Sequence, residues 1–277
     1  MIIDFRLRPP MEGYLGTQMY HPDTIGWINE IMGGQPPEGP AAARTGSMDE
    51  LFAEMDRAGV TMGVAQGRHR PGTMIPNTAL AGLRDASLGR FQVLASVDVV
   101  DRVNGHAQID HAVSELGFPG ISLDLSVLGM HVDDRRVYPI YEHCASLGAF
   151  VCITLSMLGA QDFELIAPAD LDRAARDFPN LDFVSAHGSY PYVLEVIAVA
   201  MKRRNVWLSP DMYMTHAAGG EHYVQAAQGY LQDRTLFGTA YPYTSLEDTV
   251  TRFMKLPFND AVREKILAGN AHRLLRL

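Results

Sequence analysis

One histidine and two arginines are the residues of this sequence best suited to chemistry. His187 follows the apolar run that begins at Phe183 and precedes Gly188. An imidazole at such a place can titrate near neutral pH, move a proton or bind a metal. Arg6 and Arg8 are spaced by two, so both side chains point to the same side of an extended chain. Two poorly solvated guanidinium groups need anionic company, which a carboxylate or phosphate can provide.

The sequence leaves open which anions the two arginines meet. They either bind an acid group of a substrate or pair with internal carboxylates such as Asp4, Asp98 or Asp124. Asp124 and Asp211 both follow β-type runs. Either of these two carboxylates could orient His187, act as a base or neutralise an arginine.

The elements that must position these residues follow a β/α rhythm. Eight short β-type runs alternate with helical stretches, which is typical of a parallel sheet with crossover helices. Ser47 and Glu50 form a capping box that starts one helix, and Gly59 ends it. Eight strands close a barrel, so we predict a single α/β domain over residues 1–277, a (β/α)8 TIM-type barrel. The predicted strands are 1–5, 60–65, 91–97, 120–123, 150–154, 181–186, 206–208 and 235–238.

A parallel barrel brings the carboxyl ends of its strands to one site. Residues at those ends are therefore candidates whatever the chemistry is. Besides the histidine, arginines and aspartates above, we expect three more residues to contact a substrate. These are Arg68, Thr154 and Tyr241.

Residues 11–46 interrupt the rhythm after the first strand. A βα loop usually has ~2–6 residues, whereas this segment contains a helical stretch at 23–31 and a Gly/Pro-rich stretch at 33–40. An insertion at this end of a barrel lies beside the active site. We therefore predict a lid or a dimer contact, with a passive surface excursion as the alternative.

Composition excludes several classes of protein. The chain has 23 Lys and Arg against 32 Asp and Glu, a net charge of −9. A negative surface repels phosphate backbones, so we expect no nucleic-acid partner. The sequence has no apolar run of membrane-spanning length and no recognisable signal peptide. Its two cysteines are too few for a disulfide framework. These features predict a cytoplasmic protein with no membrane partner.

Three stretches resemble the amidohydrolase-related family of metal-dependent barrels, the branch that includes aminocarboxymuconate semialdehyde decarboxylase. One is similar to the family's opening motif, one to its strand-six histidine motif, and one to its closing motifs. They are Ile3-Asp-Phe-Arg-Leu-Arg-Pro-Pro10, Pro179 to His187 followed by Asn205-Val-Trp-Leu-Ser, and Arg234 to Pro242 with Lys265 to Leu274. The resemblance spans the chain and implies the barrel fold.

The resemblance also implies a metal site, and the sequence departs from it there. The family places two histidines on strand one, often a third on strand five, a fourth on strand six and an aspartate on strand eight. Here those places hold Arg6, Arg8, Thr154, His187 and Ala240. Arginine has no lone pair for a cation, and catalytic zinc takes at least three protein ligands. We therefore expect no cofactor, with a divalent metal such as zinc on His187 and carboxylates as the alternative.

The resemblance implies hydrolysis of a C–O or C–N bond, or non-oxidative decarboxylation. The first interpretation is a hydrolase of a small carboxylate, lactone or amide, in which Arg6 and Arg8 bind the anion and His187 is the acid or base. Asp124 or Asp211 would hold the imidazole. The alternatives are a decarboxylase of a small cyclic or aromatic acid and a barrel that binds a small anion without turnover. A homodimer is also expected from the resemblance and the insertion.

Overall fold

A curled parallel sheet forms the centre of the computed structural model, which describes residues 1–277. Seven strands follow one another in the order β1, β2, β5, β6, β7, β8 and β9, and every neighbouring pair is parallel. A separate antiparallel hairpin, β3 and β4, follows β2. The strands are Ile3–Asp4 (β1), Met62–Gln66 (β2), His69–Arg70 (β3), Thr73–Met74 (β4), Phe91–Ser96 (β5), Gly120–Leu123 (β6), Phe150–Thr154 (β7), Phe183–Ala186 (β8) and Val206–Ser209 (β9).

Helices surround this sheet, as a TIM-type barrel requires. They are α1 (Pro22–Ile31), α2 (Ala41–Thr45), α3 (Met48–Ala58), α4 (Asn77–Ala86), α5 (Arg102–Ile109), α6 (Tyr138–Leu147), α7 (Pro168–Asp177), α8 (Val193–Lys202), α9 (Met212–His216), α10 (Gly220–Gln228), α11 (Leu246–Met254), α12 (Asp260–Glu264) and α13 (Asn270–Leu275). The helix after Ser47 begins as predicted, because the Ser47 hydroxyl accepts a hydrogen bond from the Glu50 N–H at 3.2 Å. No helix is long and apolar enough to cross a membrane.

The eighth predicted strand, 235–238, is an irregular segment that closes the barrel. Thr235 forms an isolated bridge with Leu208. On the other side, the Phe5 N–H donates to the Phe237 carbonyl at 2.9 Å. No regular ladder forms here because the Phe237 N–H donates to the Ile266 carbonyl at 3.1 Å, and just beyond the segment the buried Asp4 carboxylate accepts the Thr239 N–H at 3.0 Å. The prediction of eight regular strands is therefore wrong at this position, although the chain occupies the place of the eighth strand.

The C-terminal helix and the insertion lie toward opposite ends of the barrel. Leu274 and Leu275 of α13 share a buried cluster with Ile3, Phe150 and Trp207, which lie at or next to the amino ends of their strands. The amino end is therefore covered. Between β1 and α3, α1 contributes to the wall of a cavity at the carboxyl end. The predicted role of 11–46 as a lid or dimer contact stays a prediction.

Candidate active site

A cavity of about 170 Å³ lies at the carboxyl ends of the barrel strands. Its floor and walls come from β1, β2, β3, β6, β7 and β8 and the turns after them, and α1 supplies one side. The lining residues are Arg6, Arg8, Gln18, Met19, Thr24, Trp27, Ile28, Arg68, Arg70, Asp124, Val127, Thr154, Ser156, Leu158, Gly159, His187 and Tyr243. Typical sites for drug-sized ligands measure ~300–1,000 Å³, so this cavity suits a small molecule.

His187 is held at the centre of the cavity by charged groups on both ring nitrogens. Its Nε2 lies 3.1 Å from Arg6 Nη2 and 3.3 Å from Arg8 Nη2. Its Nδ1 lies 3.0 Å from Asp211 Oδ1. A guanidinium can only donate, so Nε2 must accept and the proton must lie on Nδ1, which donates to Asp211. This tautomer leaves a lone pair on the nitrogen that faces the arginines.

The backbone at these two residues adopts uncommon conformations. His187 has φ 67° and Asp211 has φ 45°, both in a region that non-glycine residues seldom enter. Such conformations cost about 1–3 kcal/mol each and are concentrated at functional sites. The fold therefore holds the His187–Asp211 pair in place at a cost in stability.

Electrostatics keep the imidazole neutral in the free protein. Burial, together with the charges of Arg6, Arg8 and Arg68, holds the pKa of His187 well below its usual range. Burial also raises the pKa of Asp211, whereas the charges of Arg6 and Arg8 and the backbone N–H of Met212 lower it and favour its ionised form. His187 is thus buried and neutral in the free protein, and its Nε2 lone pair is occupied by the donors of Arg6 and Arg8.

The two central arginines are fixed by further hydrogen bonds. Arg6 Nη2 donates to Thr154 Oγ1 at 2.8 Å. Arg8 Nη1 donates to the carbonyl oxygens of Ala240 and Tyr241 at 2.9 and 3.0 Å. Arg6 keeps two buried donors, Nε and Nη1, without a partner. These two guanidinium groups have rigid positions and incomplete hydrogen bonding.

A second pair of arginines surrounds Asp124. The Nε atoms of Arg68 and Arg70 lie 3.3 and 3.0 Å from Asp124 Oδ2. Arg68 also donates to Ser122 Oγ at 2.8 Å. Burial alone would raise the pKa of Asp124, but the charges of Arg68 and Arg70 outweigh it and lower that pKa. Asp124 is therefore an ionised counter-ion.

The structure brings together most of the residues selected from the sequence. Arg6, Arg8, Arg68, Asp124, Thr154 and His187 line the cavity, and Asp211 lies directly behind His187. Of the two aspartates proposed to orient the imidazole, Asp211 contacts it, whereas Asp124 contacts arginines.

Tyr241 is the exception among the predicted substrate-binding residues. Its hydroxyl donates to Glu54 Oε2 of α3 at 3.0 Å, and its side chain does not line the cavity. The cause is the preceding turn, where Ala240 has φ 61°. Tyr243 lines the cavity instead, with its ring centroid 5.0 Å from Arg8 Cζ.

Sequence reasoning also missed Arg70 and Trp27 as lining residues. The signal for Arg70 was present, because Arg68 and Arg70 repeat the spacing of Arg6 and Arg8. For Trp27 the periodicity of α1 indicated a helix but gave no indication of what its partly exposed face contacts.

Comparisons with known proteins agree with this fold. The sequence model of the amidohydrolase family matches residues 7–277. The chain belongs to the amidohydrolase family. An uncharacterized TIM-barrel protein from Bordetella bronchiseptica is 38% identical, with a TM-score of 0.94 over 99% of this chain and 98% of that one.

Two characterised relatives are decarboxylases. The 2-amino-3-carboxymuconate-6-semialdehyde decarboxylase of Dictyostelium discoideum is 24% identical over 223 residues, which are 68% of this chain and 62% of that enzyme. A dihydroxybenzoic acid decarboxylase from Polaromonas sp. JS666, solved with manganese and the inhibitor 2-nitroresorcinol, is 16% identical. Its TM-score is 0.71 over 100% of this chain and 97% of that one. These relatives favour the decarboxylase alternative over the hydrolase interpretation.

The expectation that the protein takes no cofactor is contradicted. The Polaromonas decarboxylase holds manganese. In this chain, one ligand atom from each of His131, Asp133 and Asp170 lies within 4.8 Å of the others, so this group could hold a metal ion. His131 Nδ1 is 2.6 Å from Asp170 Oδ2. Arg173 contacts both carboxylates, so a cation there would replace its guanidinium group.

The donor set around His187 does not fit a divalent cation. Its Nε2 already accepts from Arg6 and Arg8, and a metal at that atom would face two positive charges within hydrogen-bonding distance. The neighbouring Thr154 and Ala240 offer no carboxylate or imidazole.

Proposed function

We propose that the protein is a carboxy-lyase that removes CO₂ from a small cyclic or aromatic carboxylic acid in the cavity at the barrel mouth. The observation that carries this proposal is the neutral His187 imidazole held between two fixed guanidinium groups. The decarboxylase activity of both characterised relatives supports it.

Decarboxylation requires the protein to stabilise a developing negative charge and to deliver a proton. The ring carbon that carries the carboxylate takes up one proton, the bond from that carbon to the carboxylate then breaks, CO₂ leaves, and the electron pair of the bond returns to the ring and its oxygen substituent. A group must therefore stabilise the charge that moves onto the ring, and another must deliver a proton to that carbon.

Arg6 and Arg8 meet the first demand. An oxygen substituent next to the carboxylate, as in a hydroxybenzoic acid, takes up the developing charge. Guanidinium groups that contact both the carboxylate and this oxygen bind the charge before and after it moves. Because Thr154 and two backbone carbonyls hold the arginines, little reorganisation is needed during the reaction.

His187 and Asp211 meet the second demand. When the substrate's acid group takes over the donors of Arg6 and Arg8, the Nε2 lone pair becomes available. It then accepts a proton from the substrate's hydroxyl or from solvent and passes it to the ring carbon. Asp211 accepts the Nδ1–H throughout and stabilises the imidazolium that forms between the two transfers. Asp211 is thus a positioning residue.

The test is product analysis with a panel of hydroxybenzoic acids in D₂O. We expect CO₂ release and one deuterium on the carbon that carried the carboxylate. His187→Asn should reduce the rate by about 10²–10⁴-fold, whereas His111→Asn, a change to a partly exposed histidine on the surface, should not.

Two other results would overturn the proposal. Cleavage of the matching lactones or amides without CO₂ would favour a hydrolase. Binding of the acids with no product under any condition would favour a non-catalytic anion-binding barrel.

A further inference from the structure

The cavity contains a second cationic pole that the proposed reaction does not use. Arg68 follows β2, and Arg70 lies in the β3–β4 hairpin, so two separate elements direct their guanidinium groups to Asp124. Arg68 is buried, and the Arg70 side chain is 20% exposed. The first pole is formed by Arg6 and Arg8 around His187.

The hydrogen bonding of this second pole is incomplete. Arg70 lies 3.0 Å from Asp124 Oδ2, yet its buried Nε has no hydrogen bond of acceptable geometry. The Asp124 Oδ2 atom is likewise buried without a hydrogen-bond partner. A charged group that borders a cavity and lacks such partners is costly unless a ligand or water supplies them.

The charges around the cavity also indicate that a further anionic partner is missing. Four guanidinium groups line the cavity, those of Arg6, Arg8, Arg68 and Arg70, against one lining carboxylate. The other two nearby carboxyl groups lie behind the lining, where Asp4 accepts hydrogen bonds from the backbone of Arg6 and Thr239 and Asp211 accepts one from His187. Among the groups that line the cavity, Asp124 and a ligand with one negative charge together leave two of the four guanidinium groups without a negative partner.

The wall beside the cavity is apolar. Trp27 and Ile28 of α1 and Leu158 after β7 contribute to it. Such a surface suits the flat body of a ring, whose acid groups then project toward the arginines.

We propose that the substrate is a dicarboxylic acid. Its reacting carboxylate lies at the pole of Arg6 and Arg8, and a second carboxylate, which is retained in the product, binds Arg68 and Arg70. The second carboxylate competes with Asp124 for these two side chains. Arg70 is therefore a specificity-determining residue that selects diacids over monoacids. The inference rests on the proposed function only in stating which of the two carboxylates reacts.

The experiment is calorimetric titration with benzoate, the three benzenedicarboxylates and their monomethyl esters, which keep the shape but carry one charge less. We expect at least one diacid to bind about tenfold or more tightly than its own monoester, as a charge-assisted pair should. Arg70→Met should abolish that difference and leave benzoate affinity within about twofold. Arg135→Met, a change to an exposed arginine outside the cavity, is the matched control.

A second variant should change the affinity for diacids in the opposite direction. Asp124→Asn removes the internal competitor, so it should tighten diacid binding while benzoate affinity changes less. Melting temperatures identify any variant that is merely unfolded. Equal affinities for diacid and monoester, binding by none of the diacids, or an equal loss of benzoate and diacid binding in Arg70→Met would overturn the inference.

Failure here is distinguishable from failure of the proposed function. Diacid-selective binding without CO₂ release would support the second carboxylate site at Arg68 and Arg70 and would refute the proposed carboxy-lyase function. Turnover of monoacids without a preference for diacids would support the carboxy-lyase function and would refute the second carboxylate site.

Discussion

Removal of the Asp4 carboxylate should destabilise the barrel where it closes. Its Oδ1 accepts the N–H groups of Arg6 and Thr239 at 2.9 and 3.0 Å, and its Oδ2 accepts the Thr239 hydroxyl at 2.6 Å. Asp4 is fully buried, so water cannot replace it. Asp4→Ala leaves two buried N–H donors unpaired at about 1–3 kcal/mol each. We therefore expect a loss of roughly 4 kcal/mol in the free energy of unfolding.

Asp4→Asn is the matched control for this prediction. The amide oxygen can still accept both N–H groups, and the hydroxyl can rotate so that its oxygen accepts from the amide. The expected loss is about 1 kcal/mol. Urea unfolding followed by fluorescence measures both variants, with the denaturant slope checked for constancy. A loss below about 1 kcal/mol for Asp4→Ala would refute the reasoning, as would equal losses for the two variants.

Three further predictions concern the site and its surroundings. Asp211→Asn should lower kcat of the identified substrate by about 10–10²-fold with little change in KM, because the imidazole loses a charged partner; a change confined to KM contradicts this. Burial lowers the pKa of His187 and His216 in the folded protein, so the unfolded chain takes up protons first. The contribution of these two histidines to the free energy of unfolding should therefore be fully present above about pH 6.5 and be lost below it, while the raised pKa of Asp211 acts in the opposite direction. Urea titrations should show a smaller loss between pH 7 and 5 in His216→Asn than in the parent chain, and equal losses argue against the prediction. His187→Asn should leave the metal content per chain unchanged in elemental analysis, because the donors around Nε2 do not fit a divalent cation; a selective loss contradicts that conclusion.

The regular part of the barrel could be predicted because each strand's signal is local. The strands 120–123 and 150–154 have the predicted bounds, since a parallel strand buried on both faces reads as a continuous apolar run. The capping box at Ser47 is likewise a local signal, because the four residues from Ser47 to Glu50 are enough to indicate where the helix begins. At 235–238 the local signal was misleading, because groups far away in sequence, the Ile266 carbonyl and the Asp4 carboxylate, accept the N–H groups of Phe237 and Thr239 that a ladder would use.

The site could be predicted to the extent that barrel geometry determines it. Strand ends converge, so Arg6, Thr154 and His187 could be placed together without any knowledge of loops. Residues on turns could not be placed in this way. Tyr243 lines the cavity in place of Tyr241 because of one backbone dihedral angle, φ of Ala240, which no sequence periodicity indicates.

The hydrogen bonds that hold Arg6 and Arg8 have a consequence for binding thermodynamics. A free arginine side chain has about 2 kcal/mol of rotamer entropy to lose when a ligand immobilises it. Here Thr154 and the carbonyls of Ala240 and Tyr241 restrict both side chains before any ligand arrives, so folding has already met that entropic cost. A ligand therefore encounters a preorganised receptor. A small anion therefore binds without the entropic cost of ordering these two side chains.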